Sequence, residues 1–259
     1  MKQNLKDVTF IIPIKLESEH RRTNLRITLT YIQKHFDTNI IILESDKVSN
    51  EEYIQSICTD PITYIFDKDD SGVFHRTRYL NEMTKIATTP IIANYDIDVL
   101  FLPHQYMNAY LAIKESGFDM VYPYAGPFYD IKEKYFDLIE TNNLESIDLK
   151  DCECLHHQSI GGAIFFNKTA YIEAGLENEN FISWGYEDNE RLLRLQKLGY
   201  KIARTDGNCY HLTHPRSENS WFTNPYIKTN EAELKKIQEM DKLKLKKYIN
   251  KWKWKKLTK

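Results

Sequence analysis

Five groups of residues in this 259-residue chain carry functional groups at spacings that could do chemistry. The first is Asp96-Ile97-Asp98, which directly follows the apolar run 90–95. Side chains two apart on a strand face the same way, so the sequence predicts two carboxylates on one side. Such a pair is mutually repulsive and poorly hydrated. A divalent cation relieves both problems, and carboxylate oxygens suit Mg²⁺ or Mn²⁺. The second group is His211 and His214 in CYHLTHPRS. Imidazoles three apart can converge on one metal in a turn or helical segment, and neutral imidazole favours Mn²⁺ over Mg²⁺. Each motif alone has a plainer reading: acids in a surface turn, histidines in a loop.

The third group is Trp184-Gly185-Tyr186-Glu187-Asp188-Asn189-Glu190, read as a helix start. Acids are favoured there by the helix dipole alone, but a carboxylate at this place could also take a proton from an attacking hydroxyl. The fourth is Gly161-Gly162 before a strand, which makes either a tight bend or a close backbone approach to a ligand. The fifth is FHRTR at 74–78, whose arginines could meet a diphosphate or simply face solvent. Cys152-Glu153-Cys154 with His156 and His157 raises the question of zinc, but the spacing matches none of the closed zinc patterns.

The elements that must position these groups follow from the apolar runs. Segments 8–14, 39–43, 62–66 and 90–95 read as buried strands, the second ending in Glu44 and Asp46 and the fourth in Asp96 and Asp98. Helical text lies between them at 22–36 and 76–87, and again at 104–116. Such alternation implies an α/β fold, a mostly parallel sheet with helices on both faces. Ligands gather at the carboxyl ends of such strands, which is where the acids lie. Residues 121–157 read as an irregular or partly helical insertion, in which Tyr122, Tyr124 and Phe128 could shape an acceptor site or belong to the core. A strand at 160–167, helices at 168–175 and 187–198, and a strand beginning at 201 complete this part.

Composition limits the partners. The chain is 42% hydrophobic and 28% charged with a formal charge of −2, so the balance points to no nucleic acid. No run approaches the length that spans a bilayer, and Val8 to Ile14 is too short for a signal segment. With four cysteines expected as thiols, a cytoplasmic location is expected. The text changes after Asn230, suggesting a domain at 1–230 and one long basic helix at 231–259. Residues 235–259 hold 11 lysines and two acids, a local charge of 11 − 2 = +9. A basic helix carrying Leu243, Trp252 and Trp254 could lie peripherally on the inner face of an anionic membrane, or pack its few apolar residues on the domain.

In order, the segments IIPIK, FHRTRYLN, YDIDVLF, IGGAIFFNK, WGYEDNE and HLTHPR resemble the β-1,4-galactosyltransferase family and its bacterial GT-A relatives. The resemblance touches most of residues 8–220 and is most specific at the glycine pair, the W-G-x-E-D helix start and the histidine segment. It implies a GT-A (Rossmann-like) fold and an inverting, metal-dependent transfer of a hexose or N-acetylhexosamine from a UDP-sugar to a glycan hydroxyl, as in bacterial surface polysaccharide synthesis. The acceptor could be lipid-linked.

The resemblance also implies residue roles. Pro13, Lys15, Asp46, Phe74, Arg76, Asp96 and Gly162 would meet the nucleotide-sugar, and Trp184 would cover the sugar. Asp98, His211 and His214 would hold Mn²⁺ or Mg²⁺. Asp188 would be the catalytic base, with Glu187 beside it binding sugar. Leu16 and Glu17 depart from the family's more arginine-rich segment. Ser159 stands where galactose users tend to carry a bulky aromatic, which favours an N-acetylated donor such as UDP-GalNAc over UDP-Gal. The stretch PRSENSWFTNPY after His214 would order over bound donor. A retaining transferase, a nucleotidyltransferase or a non-catalytic UDP-sugar-binding module on the same scaffold are the rivals. The first two need no base at the W-G-x-E-D position, and retention of both Asp98 and Asp188 disfavours the third.

Overall fold

The computed structural model describes residues 1–141, 143–215 and 224–256. The first half alternates as expected: β1 (Gln3–Ile14), α1 (Glu19–His35), β2 (Phe36–Asp46), α2 (Glu51–Ile57), β3 (Thr63–Lys68), α3 (Arg76–Ile86) and β4 (Ile91–Tyr95). The two-residue β5 (Val99–Leu100), α4 (Pro103–Lys114), β6 (Met120–Tyr122) and β7 (Phe128–Ile131) follow. Beyond them lie α5 (Phe136–Glu140), β8 (Glu153–His156), β9 (Ala163–Asn167) and α6 (Lys168–Glu173). The chain continues through α7 (Glu187–Leu198), β10 (Ile202–Arg204), β11 (Cys209–Leu212), α8 (Ile227–Gln238), α9 (Lys242–Ile249) and α10 (Lys253–Lys256).

Seven strands form one sheet in the order β10-β6-β9-β4-β1-β2-β3. The β1, β2, β3 and β4 pairings are parallel, whereas β9 runs antiparallel to both β4 and β6. β1 is buried without interruption from Val8 to Ile14, the continuous apolar reading of a strand covered on both faces. A second sheet, β5-β11-β7-β8, lies across the part of the sequence read as an irregular insertion. Its strands are two to four residues long, too short for periodicity to reveal. Tyr122 and Tyr124, weighed as acceptor contacts, are core residues at 1% and 0% exposure.

Where one long basic helix is expected after Asn230, the structure has three shorter ones. α8 starts earlier, at Ile227, and stops at Gln238. The Lys197 ammonium on α7 donates to the carbonyls of Ile237, Gln238 and Met240 at 2.9, 2.6 and 2.7 Å, closing the α8 C-terminus. Asp241 then caps α9 by accepting from the Lys244 amide. Ile237, Leu245, Ile249 and Trp252 are buried together, with Leu193 and Leu198 packed against them. Among the described residues no helix is long and apolar enough to cross a membrane.

Candidate active site

A cavity of about 580 Å³ opens where β1 and β4 end, and the second sheet closes one side of it. Its wall brings together Pro13 and Lys15 after β1, Phe74 and Arg76 at the start of α3, and Asp96 and Asp98 after β4. Gly162 precedes β9, Trp184, Glu187 and Asp188 lie at the start of α7, and His211 and His214 lie on and after β11. All the site residues expected from the sequence therefore line one cavity except Asp46. Asp46 ends β2 on the β3 side, where its carbonyl accepts from the Asp69 amide and its carboxylate from the Lys47 amide.

Asp96 and Asp98 do not share a strand face. β4 stops at Tyr95, and both acids lie in the turn before β5. They acquire different partners. Asp96 Oδ1 accepts from Arg76 Nε and Nη2 at 3.2 and 2.7 Å. Burial pushes its carboxyl up, against the pull of the Arg76 charge. Arg76 Nη1 is buried with no hydrogen-bond partner among the described residues, a donor that fits an anionic ligand.

Asp98 Oδ2 instead meets Arg21 Nη1 at 2.5 Å and His214 Nε2 at 3.1 Å. Burial alone would raise the Asp98 carboxyl; the His214 hydrogen bond and the charges of Arg21 and His211 hold it well below the usual range. Asp98, His211 and His214 can place one ligand atom each within 4.8 Å of one another. They are not in a turn or helix, as the spacing suggested: His211 is on β11 and His214 follows its end.

This group fits a divalent cation. His211 Nδ1 meets Asp130 Oδ1 on β7 at 2.8 Å, and His214 Nδ1 meets the Pro215 carbonyl at 2.8 Å. With Nδ1 of each ring occupied in this way, Nε2 is the atom each could turn to a cation. His214 Nε2 lies 3.1 Å from Asp98 Oδ2, and a cation bound there would take the place of the hydrogen that bridges the pair. Cys152, Cys154, His156 and His157 form no comparable group among the described residues.

At the start of α7 the backbone is strained. Ser183, Gly185 and Tyr186 have φ of 59°, 116° and 70°, left-handed values that are costly for the two non-glycine residues. Asn230 Nδ2 donates to the Ile182 carbonyl and Asn224 Nδ2 to the Trp184 carbonyl, so α8 and its approach hold this loop. Glu187 is buried, accepts from the Gly185 amide at 2.8 Å, and is pushed up to about 7 by burial and by the Asp188 charge. Asp188 remains partly exposed, with Oδ1 held by Arg191 Nη1 at 2.6 Å.

Arg191 is fully buried and donates to both oxygens of Glu177, at 2.7 and 2.9 Å. Glu177 also accepts from Tyr171 and Asn94, so a buried polar network roots Asp188 in the core. Sequence reasoning missed Arg21, Asp130, Glu177 and Arg191. Arginines near helix starts, and acids on a short strand or in a loop, ordinarily face solvent, and nothing local distinguishes these. The expected ordering of 215–226 over bound donor concerns a stretch of which 216–223 lie outside the described residues.

Residues 145–216, which span the glycine pair, the α7 start and both histidines, match the family model described as the N-terminal domain of galactosyltransferase. No curated protein matches the chain by sequence. The catalytic domain of Drosophila β1,4-galactosyltransferase 7, in complex with xylobiose, is similar in structure with a TM-score of 0.53 at 15% identity. That match covers 92% of this chain and 82% of the other. Glucosyl-3-phosphoglycerate synthase from Mycobacterium tuberculosis, in complex with Mn²⁺, UDP and phosphoglyceric acid, is similar with a TM-score of 0.52 at 13% identity. Here 89% of this chain and 79% of the other are covered. The chain has the GT-A fold of these transferases and resembles the β-1,4-galactosyltransferases.

Proposed function

We propose that the protein is an inverting, metal-dependent glycosyltransferase that moves a sugar from a UDP-sugar to a hydroxyl of a glycan. The observation that carries this reading is a single cavity holding both an Asp98/His211/His214 donor group and a partly exposed carboxylate, Asp188, rooted by a buried arginine. A Mn²⁺ ion held by that donor group would neutralise charge on a departing UDP. Arg76, with one nitrogen unpaired, binds the nucleotide's phosphates. Asp188 takes the proton of the acceptor hydroxyl as its oxygen attacks the anomeric carbon from the face opposite UDP, which inverts the linkage. Mn²⁺ and UDP in the mycobacterial neighbour, and xylobiose in the Drosophila one, support the choice of metal, nucleotide and glycan.

Ser159 lines the cavity beside the glycine pair, and its small side chain favours a donor with a 2-acetamido group, UDP-GalNAc ahead of UDP-Gal. Unchanged donor preference in Ser159→Tyr would remove this part of the reading. The glycan belongs to bacterial surface polysaccharide, assembled on a lipid at the inner face of the membrane. Exposed Lys235, Lys242, Lys244, Lys246, Lys247, Lys251 and Lys253 on α8–α10 and their connections supply the attraction to anionic headgroups. Most of the apolar residues there are spent on the domain, so this contact is electrostatic and should vanish from liposome flotation at high salt.

The class is tested by UDP release from a panel of UDP-sugars with Mn²⁺ or EDTA. Metal-dependent release from one donor, lost in Asp98→Ala, is expected. Absence of release from every donor, together with no Mn²⁺-dependent UDP binding, would turn the reading towards a non-catalytic module or a different donor.

A further inference from the structure

Arg21, Asn24 and Thr28 stand at i, i+3 and i+7 on one face of α1, and that face meets the proposed metal group. Thr28 Oγ1 donates to the Ile97 carbonyl at 2.7 Å, beside Asp98. Asn24 Nδ2 donates to the Leu212 carbonyl at 3.1 Å, beside His211. Both side chains are buried and clamp the helix to the two segments that supply the ligands. Arg21, one turn nearer the cavity, differs in kind: its side chain is 21% exposed, lines the cavity, and places a full positive charge on Asp98 Oδ2.

That oxygen is the one facing His214, so a divalent ion taking it must first displace a cation. At the separation of an ion pair in a partly buried site, like-charge repulsion opposes the ion's entry. The guanidinium also gives up a charge-assisted hydrogen bond. The balance changes when the ion arrives with a diphosphate, because phosphate oxygens offer the freed guanidinium a matching partner.

We infer that Arg21 is a built-in counter-cation that makes divalent-metal binding depend on the nucleotide. The inference rests on the reading of Asp98, His211 and His214 as a metal group. In the free protein Arg21 neutralises Asp98 and keeps the group's affinity for metal low; with a nucleoside diphosphate present, Arg21 transfers to the phosphates and the ion takes its place. Metal and nucleotide are thereby positively coupled, reciprocally, beyond what direct phosphate-metal contact supplies.

The test measures Mn²⁺ affinity of the intact protein from the free-ion paramagnetic resonance signal, with and without UDP. Wild type, Arg21→Gln, Arg21→Lys and Asp98→Ala are compared. Without UDP, Arg21→Gln should bind Mn²⁺ about tenfold tighter than wild type, from loss of the nearby charge. UDP should then improve its affinity less than it does for wild type, and Arg21→Lys should stay near wild type. Equal or weaker Mn²⁺ binding by Arg21→Gln, with its circular dichroism unchanged and Asp98→Ala still losing the ion, would overturn the role of Arg21 alone. No Mn²⁺ binding by any of the proteins, with or without UDP, would overturn the metal group and the inference together.

Discussion

The backbone at Gly161 runs so close to Asp188 that a methyl group at position 161 would stand 2.6 Å from Asp188 Oδ2. With Oδ1 held by Arg191 at 2.6 Å, the carboxylate is fixed between a guanidinium and a bare stretch of main chain. Glycine is required here for the close approach, whereas its neighbour Gly162 is required for its φ of 81°. Gly161→Ala should push Asp188 aside while leaving the core untouched. We expect kcat to fall about 100-fold, the scale of a misplacement of roughly 1 Å, with Mn²⁺-dependent UDP binding unchanged by calorimetry. Full activity in this variant would argue against Asp188 as the base.

Asp130 touches the metal group through its hydrogen bond with His211. Its carboxyl is held below the usual range: burial would raise it, and hydrogen bonds to His211 and Thr213 together with the neighbouring histidines outweigh that. Removing it in Asp130→Ala frees the imidazole to rotate and to change tautomer. Mn²⁺ affinity should drop about 10- to 100-fold with the nucleotide pocket intact. A Mn²⁺ titration that overlays the wild type would mean that His211 is not a ligand, or that its orientation is set elsewhere.

Glu187 ties stability to pH. Its carboxyl is raised from 4.5 to about 7 by burial and the Asp188 charge, so between these values the folded protein holds a proton that the unfolded chain has released. Stability from this group is therefore greatest below pH 4.5 and is lost as pH rises through 7, by up to about 3 kcal/mol. Glu187→Gln keeps an acceptor for the Gly185 amide and removes the titration. Thermal unfolding from pH 5 to 8 should show the variant gaining on wild type as pH rises; parallel curves would contradict the burial argument. Activity should fall in the same variant, because Glu187 lines the sugar end of the proposed site.

Much of this arrangement was legible in the residues alone. Apolar runs at 8–14, 39–43 and 90–95 had to become buried parallel strands, because only a sheet covered on both faces hides such runs. The stretch read as a helix at 187–198 ends at Gly199, whose φ of 87° suits glycine, and the acids of the D-x-D and W-G-x-E-D segments had to lie at a strand end and at a helix start. The residue types there already named the chemistry: oxygen and imidazole donors for a hard cation, and a carboxylate for a proton.

Which side chain meets which was decided only by tertiary structure. Arg21 and Asp98 are 77 residues apart, His211 and Asp130 81, and Asn24 and Leu212 188. Local pattern carries no information on pairings at that range, because they depend on where the packed elements bring their ends. The same holds for the basic C-terminal segment. Its charge was plain from the lysines, but its division into three helices follows from Lys197 and Asp241 ending one and starting the next, and from a hydrophobic seat for Ile237, Leu245, Ile249 and Trp252 that exists only once α7 is in place.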